Sequence, residues 1–182
     1  GLDLTANHII YRLLWLPALK RLHRIIANSS PTAQLARDVG VPEERISIVF
    51  PGVKLPETRL PTATIESFKQ QHGLTNKHIL LSVGRLTTRK GLREFVELSL
   101  PLIIEQQPNT ILLVVGEAPT HSLHAQVQTQ QSIQDTADRL GVGQHILFMG
   151  VITDPVLLAT VYTASSIHIF PVRYIPDDPE GF

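Results

Sequence analysis

From residue 79 onward, short continuous apolar runs alternate with longer segments whose apolar residues recur every three or four positions. The runs at 79–83, 110–115, 146–149 and 167–170 read as strands, and the segments 92–106, 122–140 and 154–163 as helices. The first helix is expected to turn Leu92, Phe95, Val96, Leu102 and Ile103 inward, with a disturbance at Pro101. The second is expected to bury Leu123, Val127, Ile133, Ala137 and Leu140 and to stop at Gly141, while Asp154 caps the third. Strands that are apolar throughout, separated by amphipathic helices, predict a parallel sheet covered on both faces, an α/β fold.

Upstream the periodicity is more broken. Residues 8–24 mix apolar and basic positions at helical spacing, with Pro17 expected to kink or break the helix. Residues 25–28 predict a short buried strand. Ser30 then suits an N-cap, with Pro31 at the first helical position and Gly40 as the stop. Residues 46–49 predict another strand, prolines 51, 56 and 61 mark a linker, and a helix over 62–72 ends at Gly73.

Composition narrows the function classes. The 182 residues carry 16 Lys+Arg against 16 Asp+Glu, a formal net charge of +0, so the chain as a whole lacks the basic footprint of a nucleic-acid binder. Hydrophobic residues make up 43%, enough for a packed core rather than a disordered chain. The absence of Cys removes disulfides, thiolate metal sites and a Cys nucleophile, and fits a cytoplasmic setting. The apolar runs at 13–19 and 111–115 fall far short of the ~18–20 residues that span a bilayer. Residue 1 is Gly rather than Met, and residues 179–182 show neither a helix end nor a polar tail, which reads as a piece of a longer protein.

In an open parallel sheet, ligands bind beyond the C-terminal strand ends. The first such loop, residues 84–91, holds Arg85, Arg89 and Lys90, and Arg93 follows just inside the next helix. Gly84 lets backbone approach a ligand, Arg85 offers a planar fork for phosphate oxygens, and Lys90 adds a point charge near a helix start. The set suits a diphosphate; the bland reading is a solvated basic turn. The loop is neither a P-loop, since Gly91 rather than Ser or Thr follows Lys90, nor a Gly-x-Gly-x-x-Gly dinucleotide fingerprint. Backbone near Ile152, after the third strand, could meet a flat base or be an ordinary strand exit. The fourth strand leads through Phe170 and Pro171 to Asp177, Asp178 and Glu180, where an acid followed by Gly181 and Phe182 could face hydroxyls. His121 and His124 lie three apart with no third ligand spaced nearby, so surface positions suit them better than a metal.

Taken in order, Ile-Ile-Ala-Asn-Ser, Arg-Ile-Ser-Ile-Val-Phe-Pro-Gly-Val, Ser-Val-Gly-Arg-Leu-Thr-Thr-Arg-Lys-Gly, Val-Val-Gly-Glu, Phe-Met-Gly-Val, Phe-Pro and Glu-Gly-Phe resemble family 4 of the retaining glycosyltransferases. The resemblance covers essentially the whole chain. It implies a GT-B architecture of two Rossmann-like domains, with residues 1–50 ending the N-terminal, acceptor-side domain and residues 51–182 forming a truncated nucleotide-sugar-binding domain. It also implies that Arg85 and Lys90 hold the donor diphosphate and that Glu180 stands near the donor sugar. These three are the catalytic candidates. Gly84, Ile152, Gly181 and Phe182 complete the donor-binding set. Gly1, Leu2 and Asp3 resemble the tail of a first-domain loop near the acceptor. The pattern departs from the family in three ways. The first domain's catalytic-cleft His and acceptor pocket are absent. A second Glu would fall beyond Phe182, and Gly116-Glu117-Ala118-Pro119 stands where Gly-acid-Gly-Pro is commoner.

The implied reaction transfers a sugar from a nucleotide-diphosphate donor to a carbohydrate or lipid-linked acceptor with retained configuration, as in polysaccharide biosynthesis. Cations placed where the leaving diphosphate gains charge lower the barrier, and no cofactor or metal is called for. Two other readings stay open: a GT-B-type sugar-nucleotide epimerase or hydrolase, and a non-catalytic nucleotide-sugar-binding module. Residues 8–24, with Arg12, Lys20, Arg21 and Arg24 among Leu13, Trp15, Leu16 and Leu19, could instead rest peripherally on the inner membrane face or pack on the first domain.

Overall fold

The computed structural model describes residues 9–53, 59–119 and 128–174, with side chains from Leu13 onward. Among these, residues 9–53 with Tyr174 form one compact unit and residues 59–119 and 128–173 a second.

In the first unit, helix α1 (Ile9–Arg21) precedes strand β1 (Ile25–Ala27), helix α2 (Ser30–Asp38) and strand β2 (Ile46–Ile48). The two strands pair in parallel, Ile25 opposite Ile46 and Ala27 opposite Ile48. Ala27, Ala33, Ala36 and Val41 form the small buried core beside them. Pro17 sits inside α1 without ending it. A proline removes one intrahelical hydrogen bond, and the Leu-rich sequence around it supplies enough helix propensity to carry the turn through. Ser29, not Ser30, is the N-cap of α2: its hydroxyl accepts from the Thr32 amide at 3.3 Å, which moves Pro31 to the second helical position. Gly40 follows the helix end at φ 87°, where a side chain would be strained.

The second unit runs α3 (Thr62–Gln71), β3 (His78–Val83), α4 (Leu92–Leu98), α5 (Leu100–Gln106), β4 (Thr110–Val115), α6 (Gln130–Arg139), β5 (Ile146–Phe148), α7 (Pro155–Ala164) and β6 (Ile167–His168). All four strands are parallel, in the order β5-β4-β3-β6. Alternation along the pleat sorts their side chains. Leu80, Leu112 and Val114 join Leu92, Val96, Leu100, Ile133 and Ala137 on one face. Ile79, Leu81, Leu113 and Val115 join Phe68, Leu74, Val161 and Ala164 on the other. The expected doubly covered α/β sheet is therefore present.

Three helical expectations change in detail. Residues 92–106 form two helices rather than one, because a proline ring inside a helix clashes with the carbonyl four residues back; Pro101 instead occupies the first turn of α5. Leu100 takes the inner position assigned to Leu102, which is 60% exposed: 92, 96 and 100 follow the four-residue repeat and 102 faces away. The helix expected over 122–140 begins at Gln130, where Thr129 and Ser132 make a reciprocal capping box. Leu123 and Val127 lie outside the described residues, and Leu140, expected on the buried side, caps the helix end at 39% exposure.

The strand order has one consequence for function. The chain steps from β3 outward through β4 to β5, then returns to the opposite side of β3 for β6. The sheet thus reverses at β3, and the crevice between the ends of β3 and β6 is where ligands settle in open α/β sheets.

Candidate functional site

Backbone hydrogen bonds stitch three strand exits together. The Gly84 amide donates to the Val115 carbonyl at 2.9 Å, and the Gly116 amide donates to the Gly150 carbonyl at 2.7 Å. A Cβ at Gly116 would stand 2.0 Å from the Gly84 carbonyl oxygen, at φ 128°, so no side chain fits there. Gly84 itself faces open space: the nearest atom to a Cβ there is Lys90 Cε at 3.9 Å.

The loop beyond β3 is equally tied down. Leu86 is buried in the core, its amide donating to the Glu117 carbonyl at 2.9 Å. Residues Thr88–Lys90 make one tight helical turn that ends at Gly91, φ 66°. A Cβ at Gly91 would stand 2.1 Å from the Pro171 carbonyl oxygen, so β6's exit presses directly on this loop. Of the cations expected here, Arg89 is buried, Lys90 half-buried and Arg85 exposed.

Arg85 and Lys90 line the same narrow hollow, together with Gly84, Ser82 and Phe170. Lys90 Nζ lies 4.4 Å from the centre of the Phe170 ring, where the ring's negative face attracts an ammonium. Arg85 and Gly84 also wall a wider cavity of about 440 Å³, which Ile152 enters from the third strand exit. Val83, Val115, Pro119 and Val151 give that cavity apolar walls, and Glu117 adds a carboxylate. An apolar cavity walled in part by Arg85, beside a hollow that Arg85 shares with Lys90, can hold a base on its apolar side and anionic oxygens toward the cations. Gly84, Arg85, Lys90 and Ile152 are thus gathered around two adjoining spaces with Arg85 common to both. Glu180, Gly181 and Phe182 lie outside the described residues, as do Asp177, Asp178, His121 and His124.

A third space, of about 530 Å³, lies between α3 and α7, lined by Thr64, Phe68, Gln71, Asp154 and Thr160 among others. It is larger, but its lining includes an acid and no cation, which does not suit a diphosphate.

Sequence reasoning missed a polar group behind the loop. Gln128 is 1% exposed. Its side-chain oxygen accepts from the Arg93 amide at 3.1 Å, and its amide nitrogen donates to Glu94 Oε2 at 2.7 Å. Arg173 Nη1 donates to Glu94 Oε1 at 2.5 Å, while the Arg173 amide donates to the Arg89 carbonyl at 2.8 Å. Burial pushes the Glu94 carboxyl up, but the hydrogen bond from Gln128 and the charges of Arg173 and Arg93 outweigh it and hold the group below its usual range. Phe170 was visible as an aromatic closing a strand; Gln128, inside a polar stretch, carried no signal.

Among the described residues, no three His, Asp or Glu gather closely enough to hold a metal ion, and no helix is long and apolar enough to cross a membrane.

No curated protein matches the chain significantly. HepE from Anabaena, solved in complex with UDP and glucose, superimposes with TM-score 0.69 at 18% identity, covering 87% of this chain and 40% of that one. WaaG, a glycosyltransferase involved in lipopolysaccharide biosynthesis, gives 0.65 at 21%, covering 91% and 45%. Sucrose-phosphate synthase from Thermosynechococcus elongatus gives 0.64 at 22%, covering 96% and 43%. The chain therefore spans less than half the length of these proteins, and its sheet has the α/β fold of GT-B glycosyltransferase C-terminal domains. The family model of the glycosyl transferases group 1 matches residues 64–182, well over half of the chain. This protein belongs to that family.

Proposed function

We propose that the chain is the donor-binding part of a family-4-type, retaining glycosyltransferase that takes its sugar from a nucleotide-diphosphate donor. The observation that carries this reading is the meeting of Arg85 and Lys90 at one hollow, beside a cavity that Ile152 walls. The base lies in the apolar cavity and the diphosphate against Arg85 and Lys90. As the glycosidic bond breaks, negative charge grows on the leaving diphosphate, and both cations bind that state more tightly than the bound donor. They supply the charge that a metal ion supplies in other transferases. In this reading Glu180 acts on the donor sugar, and Gly181 and Phe182 complete the donor-binding set. Residues 1–50 belong to the acceptor-side domain and residues 51–182 to the donor domain. The UDP and glucose held by HepE support a nucleotide sugar as the donor class.

The test uses the intact protein. Titration with UDP-, GDP- and ADP-sugars identifies the donor, and product analysis separates a glycoside from free or epimerised sugar. Arg85→Ala and Lys90→Ala each lower turnover by ~10²-fold or more, as loss of a donor aimed at transition-state charge does. Near-normal turnover in both removes them from the site, and free or epimerised sugar as the sole product overturns the transfer reaction.

A peripheral membrane contact through residues 8–24 is part of the same proposal. Its support is the adjacency, on α1, of exposed Leu13, Leu14 and Trp15 with exposed Lys20 and Arg21. A lipid-linked acceptor and a cytoplasmic location at the inner membrane face would follow from it.

A further inference from the structure

The residues that leave β6 run against the cationic loop at every step. Phe170 lies under the Lys90 ammonium, the Pro171 carbonyl fills the space where Gly91 lacks a side chain, and the Arg173 amide bonds to the Arg89 carbonyl. Arg173 then turns its guanidinium onto Glu94 in the first turn of α4, and Gln128 holds the other carboxylate oxygen. One residue, through its backbone amide and its guanidinium, therefore bridges the loop and the helix that follows it.

We propose that Glu94 and Arg173 are positioning residues: their ion pair, braced by buried Gln128, seats the segment after β6 so that Phe170 holds the Lys90 ammonium in the hollow it shares with Arg85. The proposal rests on the donor-site reading above. Neither Glu94 nor Arg173 lines the hollow or the adjoining cavity, so neither touches the nucleotide, and both act through Lys90. Geometry favours this role over a solvated surface pair. Glu94's side chain is only 21% exposed, against 48% for Arg173, its two hydrogen-bond partners come from separate stretches of sequence, and one of them is a buried amide whose oxygen and nitrogen are both bonded. An Arg anchored by its own backbone amide and paired with a carboxylate already held in place loses little further freedom in pairing.

The experiment measures affinity of the intact protein for UDP, GDP and ADP by calorimetry, with thermal unfolding of each variant as a check on the fold. Glu94→Gln preserves shape and removes the charge. Glu94→Gln and Arg173→Gln are each expected to weaken the nucleotide that wild type binds by ~10-fold, and Arg173→Lys by less, with each variant still folding cooperatively and its unfolding temperature only slightly lowered. The decisive variant adds Glu94→Gln to Lys90→Ala. If Glu94 works through Lys90, the double variant binds no more weakly than Lys90→Ala alone; a role in general stability would multiply the losses. Wild-type affinity in Glu94→Gln and Arg173→Gln, with Arg85→Ala impaired, overturns the positioning role and leaves the donor site standing. Multiplied losses in the double variant overturn it as well. If Arg85→Ala binds as tightly as wild type, the donor-site reading fails, and the positioning role fails with it.

Discussion

Two segments of this chain concentrate positive charge among apolar residues, and they are built in opposite ways. In the loop after β3, Arg85, Arg89 and Lys90 stand on backbone that three strand exits lock in place, with two glycines at points where no side chain fits. On α1, Lys20 and Arg21 end a helix whose Leu13, Leu14 and Trp15 are 68%, 69% and 59% exposed in consecutive positions. Consecutive positions point about 100° apart around a helix, so these three do not form one stripe. The first segment fixes its cations against a hollow of defined shape. The second offers charge and apolar surface without a shape to match. A fixed arrangement selects a compact anion with a definite geometry, while a loose one suits a broad anionic surface.

The strongest way to break this contrast leaves every charge in place and disturbs the frame. Gly116→Val puts a branched side chain 2.0 Å from the Gly84 carbonyl at a backbone angle that L-residues avoid. It is expected to cost about 3 kcal/mol or more, from the strained backbone and the forced separation of β3 and β4 exits. Denaturant unfolding of the intact protein measures it. Gly141→Ala is the matched control: φ is 72°, but nothing lies within 4 Å of the new Cβ, so only backbone strain of about 1 kcal/mol remains. Equal costs at the two glycines would show that the strand exits are not rigidly joined.

The frame was only partly legible in the sequence. Continuous apolar runs such as 79–83 and 110–115 announce a parallel sheet because both their faces must be buried. The loop cations could be placed at a strand end for the same reason. What could not be read was which strand ends become neighbours. β6 is 84 residues and more beyond β3 in sequence yet pairs with it, Leu81 opposite His168, and no local pattern encodes that pairing. Phe170 under Lys90, Pro171 against Gly91 and Arg173 on Glu94 all follow from it. The glycines were ambiguous likewise. Gly84 draws notice as the first residue of the loop, but Gly116 is the one that sterics require, because the obstacle is the carbonyl of Gly84 itself. At α2 the cap was off by one residue, since Ser29 and Ser30 offer the same hydroxyl and only the backbone decides between them.

A milder disturbance tests the loose segment. Co-sedimentation of the intact protein with vesicles of anionic lipid is expected, and to weaken as salt rises. Replacing Lys20 and Arg21 together by Gln should reduce that binding by roughly tenfold or more, at about 1 kcal/mol per basic residue near the surface. Binding indifferent to lipid charge, or absent altogether, would leave α1 as a helix that packs on protein, and the two basic segments would then differ in partner class as well as in rigidity.

The smallest effect concerns the carboxylate that braces the fixed segment. Glu94 pays a burial penalty that its hydrogen bond from Gln128 and its proximity to Arg173 and Arg93 more than offset, so its carboxyl ionises more readily folded than unfolded. A group with a lowered folded-state value stabilises the protein above its unfolded-state value, and that contribution fades as pH falls through the folded one. Wild type should therefore exceed Glu94→Gln in stability at neutral pH, and the gap should close on the acid side of the ordinary Glu range. Arg37 and Glu43 in the first unit provide the comparison. They also pair, and Arg37's hydrogen bond and charge lower the Glu43 carboxyl, but both lie at the surface, where solvent and salt screen the attraction. Denaturant midpoints across pH, at low and moderate salt, separate the two. The Glu94 gap should persist when salt is added, whereas any gap between wild type and Glu43→Gln should shrink. If both gaps respond to salt alike, Glu94 is no better shielded than a surface pair, and the rigidity assigned to the loop after β3 must come from its backbone alone.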